Sequence, residues 1–417
     1  MSIPEIHKLF LKTTGISTDT RNIIPGSLFI SLKGEHFDGN KFALEALDKG
    51  ATFALVSDLE LQKNKNYSDK IIVVEDTLKT LQDLANFHRK QFTMTVIAIT
   101  GTNGKTTTKN LIAEVLEYKY KVIKTEGNLN NHIGVPLTLL RITKNTEIAI
   151  IEMGANTMSD IADLCKIAEP THGIITNIGT AHLQGFGTKA GVAQAKSELY
   201  IWLRDHAGVV FINKHDKDLT SLVYSVDSLN FLNNVLYGDE TVPENKYLIG
   251  DFNKENMKTA VAVGLYFKIK KSDITKALKN YEPKNMRSEW VSTKKENDII
   301  LDAYNANPSS MKAVLHAFTD LKSNKTKWLI LGDMKELGEE SQKEHTNILW
   351  EILKLNLSNV ILIGEEFYQA HEKTKRYASF KTKEGCIASH LLQSIKRSNI
   401  LIKGSNSMKM WELVPML

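Results

Sequence analysis

The segment Ala98-Ile99-Thr100-Gly101-Thr102-Asn103-Gly104-Lys105-Thr106-Thr107 gathers the residue types that hold a phosphate. Glycines let a backbone approach the anion, a lysine neutralises charge, and the next hydroxyl suits a hard cation such as magnesium. The common nucleoside-triphosphate loop reads G-x-x-x-x-G-K-[ST]; here the glycine before Gly104 is Gly101, and Ile99 stands where that pattern has its first glycine. A tight turn with an exposed lysine is the plain alternative. Glu152 ends the apolar run Ile148 to Ile151, and a carboxylate there can hold magnesium beside a phosphate loop. Asn177 and then Gly179-Thr180-Ala181-His182 follow another apolar run, and imidazole can ligate a metal or orient a phosphate. Lys196 falls in a helix-length segment, where the ordinary expectation is a solvated lysine.

These side chains need elements to place them. TMTVIAIT is an apolar, β-branched run typical of a buried parallel strand, and TTKNLIAEVLEYK has apolar residues at 111, 112, 115 and 116. Strand, glycine loop and amphipathic helix therefore follow one another, which puts a helix N-terminus at the loop. Further runs at EIAIIEM, GIITNI and GVVFIN, separated by segments such as GVAQAKSELYIWL, predict a parallel sheet covered on both faces. Ligands of such sheets bind beyond the carboxyl ends of the strands, where Gly101, Glu152 and His182 fall.

Before this block, SLFISL, ATFALV and KIIVVE alternate with helical or turn-rich pieces, as in a small α/β domain. After it the alternation resumes. DIILDAY leads to a helix with Asn307 as N-cap, Pro308 at N1 and apolar residues at 311, 314, 315, 318 and 321. KWLILG, a helix opening with the capping box Ser341-x-x-Glu344, NVILIG, and NILIKG before a last helix complete it. The expected class is α/β in three domains: 1–90, a small N-terminal α/β domain; 91–285, a central P-loop ATPase-type parallel sheet; and 286–417, a Rossmann-like domain.

The chain has 417 residues, 42% of them hydrophobic, enough for about two to four domains at roughly 100–200 residues each. Its 53 basic and 48 acidic residues are interspersed, so no basic stripe for nucleic acid is expected. Cys165 and Cys386 lack the spacing of a zinc site or a disulfide framework, which fits a reducing cytoplasm. No run approaches the ~18 apolar residues of a membrane span.

TGTNGKTTT, GNLNNHIGVP, IEMGAN, TNIGTAHLQGFGT, AKSEL, GDFNKEN, DAYNANPSSMKA, LGDMKELG and KGSNSM occur in this order along the chain. The set resembles the Mur ligases of peptidoglycan synthesis, and among them the MurF type; the family's own loop is the short G-T-x-G-K-T form. The resemblance implies an ATP-dependent ligase that adds D-alanyl-D-alanine to UDP-N-acetylmuramoyl tripeptide through an acyl phosphate. It also implies ATP and two Mg²⁺ ions; a cytoplasmic monomer is expected.

By the same resemblance, Gly101, Thr102, Asn103, Gly104, Lys105, Thr106 and Thr107 bind ATP, with Thr106 and Glu152 at the first metal. His182 falls on the second metal's ligand, and Lys196 on a lysine that carries a CO₂-derived carbamate in related ligases. Asn253 matches an adenine-contacting asparagine in a G-x-H-N-x-x-N pattern, with Phe252 where histidine is usual. Arg287 and Asp302 match residues that the C-terminal domain brings to ATP; a surface ion-pair partner and a strand-end cap are their plain alternatives. STDTRNIIPGSLFISLKGEHFDGNKF resembles the segment that holds the uridine diphosphate sugar, with Thr20, Arg21 and Asp38 as contacts, although DTR and FDGN are equally turn sequences. Asn130 and Asn131 are expected to face the muramoyl or phosphate part of the substrate.

The nearest competing type, MurE, adds a single amino acid and usually carries D-[ND]-P-[RN], a tetrapeptide absent here. Folate polyglutamate ligases would not be expected to carry the N-terminal sugar-nucleotide block. A P-loop ATPase switch or a binding scaffold is the alternative from another class.

Overall fold

The computed structural model describes residues 1–179, 183–226, 233–372 and 375–417. Three parallel or mostly parallel sheets follow one another along the chain. The first is four-stranded, in the order Ile16–Ser17, Leu28–Ile30, Phe53–Val56, Ile71–Val73. The second has six parallel strands in the order Asn233–Tyr237, Val209–Asn213, His172–Ile175, Thr95–Thr100, Ile148–Glu152, Val122–Lys124. The third has the order Glu289–Ser292, Asp298–Asp302, Ser398–Lys403, Thr326–Gly332, Val360–Ile363, Ala378–Phe380, with only its first strand antiparallel.

Ile97, Ile99, Ile148, Ile150 and Ile174 are fully buried or nearly so, because helices cover both faces of the second sheet. The strands Thr95–Thr100 and Ile148–Glu152 are neighbours at its centre, with Ile99 opposite Glu152. That register sets the phosphate loop beside the Glu152 carboxylate. The helix Thr77–Lys90 starts on Asp76, whose carboxylate accepts from the N–H groups of Leu78 and Lys79. Its Leu81, Leu84 and Ala85 enter the same core as Leu164 and Leu199 of the central helices.

In the third block Asn307 caps the helix Pro308–Asp320, with Pro308 in its first turn as the sequence predicts. Two expectations fail. Residues Gly338–Glu340 wind as a 3₁₀ turn straight into the helix Ser341–Lys354, so Glu340 is the N-cap and the Ser341 hydroxyl bonds to Glu366 at 2.9 Å instead of capping. No α-helix follows Ser398–Lys403: the left-handed Lys409 and the N–H-less Pro415 leave only 3₁₀ turns at Asn406–Met408 and Met410–Met416.

Candidate active site

The strand Thr95–Thr100 ends in Gly101, and the helix Lys105–Leu116 begins after Gly104. Gly101 has φ 145° and Gly104 φ 80°, and a Cβ on Gly104 would come within 2.5 Å of Asn256 Oδ1. Both positions therefore require glycine. The loop is stitched to the end of the neighbouring strand: the Thr102 N–H donates to the Asn177 carbonyl, and the Asn103 N–H to Asn177 Oδ1, each at 3.0 Å. The first N–H groups of the helix, beyond that stitching, are placed to receive an anion. Lys105 Nζ lies across the loop, donating to the carbonyls of Gly101 (2.7 Å) and Thr102 (3.2 Å). Burial pushes its ammonium below the usual lysine range, while Glu152 acts to retain the charge.

Beneath the loop sits a buried acid. Glu152 Oε2 accepts from the Thr106 hydroxyl at 2.8 Å and from Lys109 Nζ at 3.2 Å; Oε1 accepts from Asn130 Nδ2 at 2.9 Å. Burial alone would push this carboxyl up, but Lys109, Arg287, Lys105 and Asn130 together hold it below the ordinary range. A hydroxyl and an ionised carboxylate in contact are hard oxygen ligands, and Mg²⁺ usually takes one or two carboxylates plus phosphates and water. The pair fits that ion. Among the described residues no cluster of three or more His, Cys, Asp or Glu offers an all-protein cage.

Lys196 contradicts the expectation of a solvated lysine. It is 4% exposed, and burial, reinforced by the charge of Lys105, brings its ammonium down to about 7. Its helix, Lys189–Asp205, buries Val192, Ala195, Leu199 and Leu203. Lys196 lies four residues after Val192 and three before Leu199, so the stripe that buries them buries it too. His182 lies outside the described residues, as do Thr180 and Ala181.

Residues of the other blocks complete a cavity of about 1330 Å³ around this site. Lys79, Gln82 and Asn86 of the helix Thr77–Lys90 line one part of it. Phe252 and Asn253 line another; the Asn253 amide is held by the Ile249 carbonyl and Asn256. Arg287 and Asp302 line it from the third block. The Arg287 guanidinium stacks 3.7 Å over the Tyr304 ring, and Asp302 accepts from the Ser288 N–H at 3.1 Å and from buried Lys403 at 2.6 Å.

The remaining residues sit differently. Thr20 and Arg21 form a 3₁₀ turn capped by Asp19, to which the 85% exposed Arg21 side chain is paired. Asp38 caps the turn at Asn40. None of these three is part of the cavity wall, so the turn alternative describes their local bonding. Asn130 and Asn131 line the cavity, but the amide of Asn130 is taken by Glu152, and Asn131 Oδ1 accepts from the N–H groups of Ile133 and Gly134 at a helix start. Sequence reasoning missed Lys109, which lies three residues before the buried Ile112, and Asn256, the last residue of GDFNKEN, which joins Thr108 to Asn253.

Three family models match the chain: Mur ligase family, catalytic domain, over residues 12–89; Mur ligase middle domain over 99–246; and Mur ligase, glutamate ligase domain, over 286–406. The UDP-N-acetylmuramoyl-tripeptide--D-alanyl-D-alanine ligase of Bacillus subtilis (strain 168) is 36% identical, over 96% of this chain and 92% of that one. A crystal structure of MurF from Acinetobacter baumannii superposes with a TM-score of 0.84 at 27% identity, covering 99% of this chain and 98% of that one. The MurF ligase of Thermotoga maritima in complex with ADP gives 0.81 at 25% identity, covering 98% and 97%.

Proposed function

The chain belongs to the Mur ligase family and to its MurF type, and we propose how its residues carry that reaction. It is an ATP-dependent ligase that joins D-alanyl-D-alanine to the terminal carboxylate of UDP-N-acetylmuramoyl tripeptide, giving the UDP-linked pentapeptide of peptidoglycan synthesis. A carboxylate oxygen of the tripeptide attacks the γ-phosphorus of ATP, and the bond to the ADP oxygen breaks. The dipeptide amine, having lost a proton, attacks the acyl phosphate carbon; the C–N bond forms and phosphate leaves with the C–O electron pair.

The observation that carries the residue assignment is the convergence of Lys105, Thr106, Glu152 and Lys196 in one cavity that all three blocks line. Lys105 and the helix N-terminus hold the phosphates, so that a carboxylate and a triphosphate approach despite their repulsion. Thr106 and Glu152 would hold one Mg²⁺, and His182 with Lys196 would serve a second. Magnesium, when bound, supplies the further charge neutralisation that the anionic pair requires. Arg287 and Asp302 face the nucleotide from the third block, with Asn253 at its adenine. Thr20, Arg21, Asp38 and Asn131 serve the sugar nucleotide, with Asn130 shared between it and Glu152.

An amine with a pKa near 7 is substantially uncharged at neutral pH, which is the form that adds CO₂. The nitrogen forms a bond to carbon, a proton is released, and Lys196 becomes an anionic carbamate able to serve a cation. In CO₂-depleted buffer activity should fall and bicarbonate should restore it; activity indifferent to bicarbonate over the whole range would remove the carbamate.

The divisions 1–90, 91–285 and 286–417 are the domains of this reading, and a monomer is the proposed state. Among the described residues no helix is long and apolar enough to cross a membrane, and the cytoplasm is the proposed location. The deciding assay is phosphate release from ATP with each substrate omitted in turn. Release that requires both UDP-N-acetylmuramoyl tripeptide and D-alanyl-D-alanine is expected; release needing neither would overturn the assignment.

A further inference from the structure

The phosphate loop is tied to the third block by a closed ring of side-chain hydrogen bonds. Asn103 Nδ2 donates to Ser309 Oγ at 2.7 Å, the Ser309 hydroxyl donates to Asn307 Oδ1 at 2.9 Å, and Asn307 Nδ2 donates back to Asn103 Oδ1 at 2.9 Å. Every polar atom in the ring has a role matching its chemistry: each amide donates through nitrogen and accepts through oxygen, and the hydroxyl does both. Asn307 Oδ1 also accepts from the Ser310 N–H at 2.8 Å as the N-cap of Pro308–Asp320. Asn307 is 6% exposed, so the ring is closed off from much of the competing water.

Asn103 is held from the other side as well. Its carbonyl accepts from the Thr176 hydroxyl at 2.6 Å and from Asn177 Nδ2 at 3.0 Å, and its N–H donates to Asn177 Oδ1. One residue of the loop is thus bonded through its backbone to the strand end preceding the His182 segment, and through its side chain to the helix cap of another block. The linker between the blocks is strained: Asn285, Met286 and Ser288 all have positive φ, between 57° and 59°, a conformation that costs non-glycine residues energy and persists only where contacts hold it.

We propose that Asn307 and Ser309 are positioning residues for nucleotide binding, acting through Asn103 to hold the third block, with Arg287 and Asp302, against the phosphate loop. This rests on the reading of the loop as the ATP site. Without the ring, the nucleotide must itself bring the two walls together, and its apparent affinity falls by the fraction of time they are apart.

The test uses two full-length variants and ADP with Mg²⁺ as the probe. Ser309→Ala removes the hydroxyl that closes the ring. Asn307→Ser keeps a residue able to cap the helix but too short to reach Asn103. Calorimetry should show ADP binding weakened by roughly fivefold to thirtyfold in each, the loss expected for one or two neutral hydrogen bonds. Binding of UDP-N-acetylmuramoyl tripeptide should be unchanged, a split that general loosening of the fold would not produce. In steady state the KM for ATP should rise by the same factor. ADP affinity within about twofold of wild type in Ser309→Ala, or an equal loss of affinity for both ligands, would overturn the proposal; coupling in an Asn103→Ala/Ser309→Ala cycle supports it. Wild-type protein that binds no ADP would instead sink the ATP-site reading itself.

Discussion

Two buried lysines show how one residue type takes opposite roles within one site. Lys109 is compensated, its ammonium 3.2 Å from a Glu152 oxygen with both side chains almost fully enclosed. Lys109→Met should cost about 3 kcal/mol in urea unfolding, because the remaining carboxylate is buried without its nearest cation. Lys109→Met/Glu152→Gln should recover part of that loss, and simple additivity in the cycle would refute the pairing. Lys196 is uncompensated by any acid among the causes that shift it; burial and Lys105 both act to discharge it. In the unfolded chain it stays protonated to about 10.5, whereas the fold releases the proton near 7. The penalty is therefore full below pH 7 and fades as pH rises toward 10.5. In CO₂-free buffer Lys196→Met should be more stable than wild type by on the order of 4 kcal/mol at pH 7, with the gap narrowing toward pH 10 in thermal melts, while ligation is lost. A gap that widens with pH would show that the lysine is charged in the fold. Both lysines lie on the buried stripes of their helices, beside Val192, Leu199 and Ile112, yet a lysine in a helical segment reads as solvated, so neither its burial nor a partner such as Glu152, which comes from another strand, was legible.

At the scale of elements, the strand-loop-helix unit was legible because β-branched apolar residues, two glycines and a helical stripe all agree. The loop's geometry makes a sharper claim. Gly101 has φ 145°, and a Cβ there would collide with the Thr176 hydroxyl of the adjacent strand. Gly101→Ala should therefore displace the loop and weaken ADP binding at least about tenfold while the circular dichroism spectrum stays native, the strain of such a residue being on the order of 1–3 kcal/mol. Native ADP affinity in this variant would mean that the loop does not contact the nucleotide. Less legible were elements whose ends depend on neighbours. Ser341 and Glu344 form a capping-box pattern, yet Glu366 takes the serine hydroxyl and a 3₁₀ turn extends the helix start. NILIKG has no helix after it because Lys409 turns left-handed. The site residues within DTR and FDGN were equally hard to separate from turns, since Asp19 and Asp38 do cap turns.

At the scale of the molecule, the first block keeps an apolar cluster of its own around Phe29 and Ala54, and the second one around Ile99 and Leu111, but the two blocks are also joined. One apolar cluster runs from Ile6, Phe10 and Leu28 through Leu81 and Leu84 to Ile151, Leu164 and Leu199, so the first and second blocks share buried surface. The third block keeps clusters of its own, around Phe318 and Leu329 and around Ile361 and Met410. Calorimetry of the full chain without ligand should accordingly resolve two transitions, one for 286–417 and one for the rest. The shared core also holds a titratable joint: His7 Nε2 meets His88 Nδ1 at 2.9 Å, and His88 Nε2 meets the Ile142 carbonyl at 2.9 Å. Burial holds both imidazoles below the usual histidine range, with repulsion from His88 adding to the effect on His7. Below pH 6.5 the unfolded chain takes up protons that the fold refuses, so stability falls as pH drops from 7 to 5. This term belongs to the transition of 1–285, where His172, held down to about 4 by burial, adds to it, so His88→Gln should lessen the pH dependence between 7 and 5 without abolishing it. The transition of 286–417 has its own burial-lowered histidines, His345 and His371, so the variant decides the matter: a wild-type slope in His88→Gln would mean that the histidine pair is not the joint between the first two blocks.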